Sequence, residues 1–222
     1  TIGNVASISK QIYERYMPYI GTGLQFDNRT IHMEADVKMN LYNWQLEEHS
    51  LSRKKTEFSP DARLFLKYSV SATSDFSLNY RYSELFQDLR QVYDGNLFTS
   101  YRTIVNNSHT PKTDGTHSLT LRYQYSQPIK GIFFMLSALG STTHRHSAYV
   151  TTLQPESGIL VRTKKDADYD SEMYLVNGRF SKSFGWWKSL LGVYGSYMKS
   201  FDAQYSGNEL QDYDMNNYSA GI

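Results

Sequence analysis

From Ile31 to Leu41 the chain alternates without error: Ile31, Met33, Ala35, Val37, Met39 and Leu41 are apolar, and His32, Glu34, Asp36, Lys38 and Asn40 between them are polar or charged. In a strand the two sets point to opposite faces. The same period recurs. Leu64, Leu66, Tyr68 and Val70 oppose Phe65, Lys67 and Ser69; Phe76, Leu78, Tyr80 and Tyr82 oppose Ser77, Asn79 and Arg81. Leu119, Leu121, Tyr123 and Tyr125 oppose Thr120, Arg122 and Gln124; Val176, Gly178 and Phe180 oppose Asn177, Arg179 and Ser181. Leu191, Val193, Gly195 and Tyr197 alternate with Gly192, Tyr194, Ser196 and Met198, and Ile20, Leu24 and Phe26 mark a strand near the start. Helical periodicity is nearly absent, so the chain is predicted to be antiparallel β throughout.

Two kinds of connection separate these runs. Tight turns centre on Asn28, Ser74, Ile129 and Gly185, where Asn, Asp, Gly and Pro supply the turn chemistry. Longer polar stretches at 46–60, 84–115, 143–170 and 203–212 read as loops on the opposite side. Alternation persists for about 8–11 residues per run, the length a tilted strand needs to cross a bilayer. A soluble sandwich strand is commonly shorter, about 5–6 residues. The pattern therefore predicts an antiparallel up-and-down transmembrane β-barrel, all-β, of which this chain is a fragment of about 8–10 long strands in meander order. Residues 1–222 form one segment, and both ends read as interior to a longer protein.

Composition fits that picture. The chain carries 19 Tyr, 11 Phe and 3 Trp, residues favoured in strands and at membrane–water boundaries. Tyr68, Tyr80, Tyr82, Tyr123, Tyr125, Trp186 and Trp187 fall near predicted strand ends, where aromatic girdles form. Mean hydropathy is only −0.56, as expected when half of each strand faces water. The net charge of +1 gives no bulk attraction to nucleic acid. There is no cysteine, so disulfides and thiolate chemistry are excluded. The longest apolar stretch, Gly131 to Gly140, is too short for a membrane helix. The face carrying Met33, Val37, Leu66, Val70, Leu78, Leu121, Leu136, Val176, Phe180 and Val193 is expected to meet lipid. The face carrying Glu34, Asp36, Lys38, Lys67, Arg81, Arg122 and Arg179 is expected to line the lumen.

Four stretches carry a resemblance. They are FSPDARLFLKYSVSATSDFSLNYRYS from Phe58, LFTSYRTIVNN from Leu97, LTLRYQYSQPIKGIFFMLSALGS from Leu119, and FSKSFGWWKSLLGVYGSYMKS from Phe180. In this order they resemble the strand–turn–strand units of Bacteroidetes-type outer-membrane β-barrel proteins related to TonB-dependent receptors. The resemblance covers roughly residues 10–222. It implies a location in the bacterial outer membrane and a barrel of about twenty or more strands. It also implies an N-terminal plug that engages the TonB energy-coupling complex, and it admits a surface lipoprotein partner. The implied function is import of a bulky nutrient such as a glycan, peptide or chelate. The alternative is a soluble all-β carbohydrate-binding or structural domain.

Catalysis finds no support. There is no nucleophile elbow, P-loop or dinucleotide fingerprint, and no pair of carboxylates stands out as acid and base. No cofactor is expected. His144 and His146 share a strand face, but no third ligand follows at metal spacing, so no metal site is expected. Asp166, Asp168, Asp170 and Glu172 are predicted on one face, without the glycine turn of an EF-hand. The best ligand-binding candidates lie in the stretch 84–115: Tyr93, Asp94, Phe98, Tyr101 and Arg102, aromatic faces beside polar groups that suit sugars or peptides. A loop packed on its neighbours is the simpler reading of the same residues.

Overall fold

A computed structural model describes residues 11–48, 51–85, 96–106, 112–185, 189–207 and 209–222. The strands are β1 (Gln11–Tyr16), β2 (Tyr19–Asp27), β3 (Ile31–Glu48), β4 (Leu51–Ser71), β5 (Ser74–Leu85), β6 (Asn96–Ser100), β7 (Thr103–Asn106) and β8 (Asp114–Gln127). They continue with β9 (Ile132–Gln154), β10 (Ile159–Phe184), β11 (Ser189–Ser206) and β12 (Glu209–Gly221). No α-helix occurs among the described residues; a single 3₁₀ turn spans Pro128–Lys130. No helix is therefore long and apolar enough to cross a membrane, which leaves crossing by strands open.

The long strands pair antiparallel in the sequential order β2–β3–β4–β5–β8–β9–β10–β11–β12. This is the predicted meander. β1 and β2 are one edge strand interrupted at Met17–Pro18, both pairing with β3. An edge is where a strand tolerates a proline, because the missing N–H costs no ladder bond there.

Tight turns occupy one end of the sheet. Asn28 Oδ1 accepts from the amides of Thr30 and Ile31 at 2.8 and 2.7 Å, an Asx turn that fixes the β2–β3 hairpin. At the β4–β5 turn the Ser71 and Ser74 hydroxyls bond at 2.8 Å. After the 3₁₀ turn, Gly131 sits at φ +62° and its carbonyl accepts from Ser183 N at 2.7 Å, tying two adjacent hairpin ends together.

The other end departs from the sequence expectation. The stretches 46–60 and 143–170 are largely strand, not loop: β3–β4 pair up to Glu48↔Leu51, and β9–β10 up to Gln154↔Ile159. Strands in water still satisfy their backbone groups by pairing, yet nothing requires one of their faces to be apolar, so the alternation that marks the lower strands fades. Pro60 marks the change on β4. The β4–β5 ladder stops at Asp61↔Ser83, and the buried Ser59 hydroxyl donates to the Glu84 carbonyl at 3.1 Å. Within the stretch 84–115, residues 96–106 form the β6–β7 hairpin, and β7 adds in parallel to β10 at Leu160–Thr163. Trp186 and Trp187 lie outside the described residues.

One irregularity in β10 positions the chemistry. Asp166 opposes Ser147 and Tyr169 opposes Arg145, so Ala167 and Asp168 together face the single residue His146. This β-bulge shifts the phase of β10 by one residue. Below it, even-numbered residues share the apolar face. Above it, Lys164 and Arg162 turn to the polar face. The expectation that Asp166, Asp168, Asp170 and Glu172 share a face is corrected accordingly: Asp170 and Glu172 oppose His144 and Thr142, while Asp166 belongs to the other phase.

Two of the three left-handed glycines among the described residues, Gly131 and Gly158, should respond differently to substitution. A Cβ at Gly131 would lie 2.8 Å from the Ser183 carbonyl oxygen, whereas one at Gly158 (φ +62° as well) meets nothing within 4 Å. Gly158→Ala should cost about 1–2 kcal/mol from conformation alone. Gly131→Ala should cost roughly 1–3 kcal/mol more through the added clash. Urea unfolding midpoints of the two variants in the same detergent measure the difference.

Candidate ligand site on the polar face

The cross-strand registers carry one set of side chains from strand to strand. Met33, Leu66, Leu78, Leu121 and Ala138 are successive partners, as are Tyr123, Leu136, Gly178 and Gly195. Nine of the ten residues expected on the apolar side thus fall on one face of the sheet by register, and Val70 follows them on β4 at the irregularity between Ser69 and Ser71. It is uncovered: Val37, Val70, Val176 and Val193 are 54, 56, 43 and 47% exposed. The charged set falls on the other face. There Asp36 opposes Arg63, Lys38 opposes Asp61, and Arg63 opposes Arg81. Arg81 reaches Asp61 at 2.8 Å, and Lys67 lies 3.8 Å from Asp75. Asp36, Lys38, Asp61, Arg63 and Arg81 surround a recess of about 230 Å³. Charges of both signs therefore answer one another across strands.

Higher on the same face is a cavity of about 260 Å³ lined by Asp114, Arg145, Tyr149, Arg162, Lys164, Tyr169, Asp202 and Tyr213 among others. The bulge builds it. Only because β10 changes phase between Asp166 and Tyr169 do Lys164 and Arg162 share a face with Tyr169 and with Arg145, Tyr149 and Thr151 of β9. β11 closes one side: its upper end reaches past β10 to pair Tyr205 with Val150 of β9, and the Tyr205 hydroxyl donates to the Asp166 carbonyl at 3.1 Å. Ala148, Ala203, Ser147 and Lys164 are buried around this junction.

The cavity concentrates cations and phenols. The Arg162 guanidinium stands 4.6 Å from the Tyr149 ring centre, and Tyr213 donates to Asp202 at 3.4 Å. The buried Arg145 Nε has no hydrogen-bond partner among the described residues. Lys164, 5% exposed, is held down to a pKa of about 8 by burial; Asp114 opposes that shift and Arg145 adds to it. Burial also pushes the Tyr169 and Tyr213 phenols up, with Asp202 adding to each, so both remain protonated donors at neutral pH. Such a site can bind a hydroxylated ligand that bears carboxylate or phosphate. Its signal in the sequence was spread over β8, β9, β10, β11 and β12, and it depended on a bulge that periodicity does not reveal.

Of the ligand residues expected from sequence, Tyr93 and Asp94 lie outside the described residues. Phe98 is in β6, backbone-paired with Ile104, and its side chain is outside the described set. Tyr101 and Arg102 form the exposed β6–β7 turn, with the guanidinium 5.1 Å from the ring centre. The Arg102 carbonyl accepts from Leu160 N at 2.8 Å, so this hairpin packs on its neighbour. Neither residue lines the cavity. His144 and His146, for which the sequence shows no third ligand at metal spacing, each meet an aspartate in the structure. The bulge brings Asp168 to His146 at 2.7 Å, and Asp170 bonds His144 at 2.8 Å.

No family model matches the chain, and no curated protein sequence does. Among solved structures, the copper transporter OprC is similar over 93% of this chain and 29% of its own, with a TM-score of 0.59 at 10% identity. The siderophore receptor PirA from Pseudomonas aeruginosa aligns over 96% of this chain and 50% of its own, with a TM-score of 0.45 at 8% identity. The chain thus spans about half or less of either protein. At these identities the likeness to OprC establishes the fold: a large, mostly antiparallel sheet of the kind found in that transporter.

Lys164 should titrate near pH 8, well below the ordinary lysine value of 10.5. Because its pKa is lower folded than unfolded, the folded state holds fewer protons between about pH 8 and 10.5, and this lysine's contribution to stability rises with pH across that window. Asp114→Asn should lower its pKa further. Carbon-13 NMR of the reductively methylated protein, assigned with Lys164→Gln, measures both.

Proposed function

We propose that this chain forms part of the wall of an outer-membrane β-barrel of the TonB-dependent receptor class, which imports a bulky polar nutrient. The observation that carries the reading is the uncovered apolar face, which runs across the long strands from β2 to β11, opposite a face that carries charges of both signs. In water such a face is an aggregation hazard, far larger than a monomer's usual apolar patch. In a bilayer it is the lipid contact, and the charged face lines a hydrated lumen. A soluble carbohydrate-binding sandwich would need a second sheet over that face, and none packs there among the described residues. The order of sequence motifs supports the Bacteroidetes-type branch, and the fold shared with OprC supports a transporter barrel. The protein then acts without enzymatic chemistry. A plug coupled to TonB and a surface lipoprotein are the partners this reading requires or admits.

The tight turns would face the periplasm and the long strand extensions the exterior. The nutrient would be a glycan, peptide or chelate carrying hydroxyl and anionic groups. It would meet Tyr93, Asp94, Phe98, Tyr101 and Arg102 at the outer hairpin and then the cationic cavity around Arg145 and Lys164.

Facing can be read from stability. Leu121→Lys should cost about 2–4 kcal/mol if Leu121 lies near the bilayer midplane, while Thr120→Lys, one residue away, should cost much less. Urea unfolding in lipid vesicles compares them, and equal losses would mean that the two faces are wrongly assigned. Deleting residues 90–110 should abolish nutrient binding or uptake while the barrel stays folded and heat-modifiable on a gel. Uptake that survives this deletion would remove the outer hairpin from the ligand path.

A further inference from the structure

The His144–His146–Asp168 cluster lies on the other face from the cavity. His144 opposes Gly115 and Asp170, on the side that lower down carries Leu136, Val176 and Phe180. Counted from the tight turns it stands just beyond the apolar band, facing outward. We propose that His144, His146 and Asp168 bind one divalent transition-metal ion of the zinc–copper–nickel group.

Four observations carry this. First, the donor set is right: two imidazoles and a carboxylate suit these ions, whereas calcium and magnesium prefer oxygen alone. Second, one potential ligand atom from each of the three residues lies within 4.8 Å of the others. Tetrahedral bonds of about 2.0–2.1 Å separate ligand atoms by roughly 3.3 Å. The remaining contraction of somewhat over an ångström is within reach of side-chain rotation, since His144 and Asp168 are exposed. Third, the imidazole planes meet at 88° with centres 4.7 Å apart, so the rings do not stack and can turn a nitrogen each toward a common point. Fourth, an outer shell is already present. Asp170 bonds His144 Nδ1 at 2.8 Å, which leaves Nε2 free for an ion, the arrangement in which a carboxylate orients a ligating histidine. Asp114 Oδ1 accepts from the His146 amide at 3.2 Å and anchors that ligand to β8.

The local field is favourable. Lys112 acts on Asp168 against a cation, but Asp170 and Glu172 stand on the same face and outnumber it. Three protein ligands leave at least one coordination position open to water or to an anionic group of a passing molecule. The site also staples the bulge, because it joins β9 to the one stretch of β10 that has slipped out of phase. Metal affinity distinguishes one shared site from two separate histidine–aspartate hydrogen bonds.

The test uses the protein in detergent, with any flanking chain left in place, and Zn²⁺ or Cu²⁺ alone as the probe. Isothermal titration against a competing chelator should give one equivalent bound in the micromolar range or tighter. His144→Gln and His146→Gln should each weaken it at least tenfold, and Asp168→Asn and Asp170→Asn several-fold. His32→Gln, on the opposite face beside Glu34, should leave it unchanged. Paramagnetic resonance of the Cu²⁺ form should report two coordinated imidazole nitrogens, falling to one in each single histidine variant while the barrel remains heat-modifiable. Absence of a stoichiometric site in the unaltered protein, or equal affinity in the His144→Gln/His146→Gln double variant, overturns the proposal. Neither readout depends on transport, so the result stands apart from the reading of the chain as an importer.

Discussion

A backbone surrounded by hydrocarbon must satisfy every N–H and C=O within the protein, and only helices and laterally paired strands do so. The antiparallel ladder from β2 through β12 answers that requirement strand by strand. Once the ladder is in register, the period of two leaves no freedom in where side chains go: a residue shares its face with its partner in each neighbouring strand. The run Met33, Leu66, Leu78, Leu121, Ala138 is a direct result. A slip of one residue anywhere along it would move charges such as Arg122 and Lys67 to the apolar side.

The charged face contributes less to stability than its ion pairs suggest. Arg81–Asp61 and Lys67–Asp75 are partly exposed, and such pairs are typically worth about 0–1 kcal/mol each. Their main effect is on solvation, since a face bearing both signs remains wet at little electrostatic cost. The cavity differs. Lys164 and Arg145 are drawn into a pocket where burial already works against the lysine's charge, so an anion arriving there would relieve an existing strain in the electrostatics.

Strand identity and facing in the lower half of the sheet were legible because one solvent there enforces apolar alternation. Ile31 to Leu41 and Leu119 to Tyr125 could be assigned from residue types alone, and the turns centred on Asn28, Ser74 and Ile129 bounded them. The upper half was not legible. From Ser141 to Asp170 polar residues stand at both parities, so strands there carry the composition of loops. The docking of β7 on β10 is a pairing between segments far apart in sequence, which local pattern does not encode. The bulge was invisible for a related reason: Ala167 and Asp168 are ordinary strand residues, and only the partner strand reveals that two stand against one. With it went the cavity's membership and the third residue beside the histidine pair.

That one-residue phase slip separates two parts of the same strand as substrates for variation. Below it, β10 is bound to a parity shared with every other strand, and an insertion would propagate errors across the sheet. Above it, parity has already been reset, so the outer segment can gain or lose residues and exchange its faces without disturbing the register below. A single strand thus joins a segment of fixed parity to one that is free to change its length and to exchange its faces.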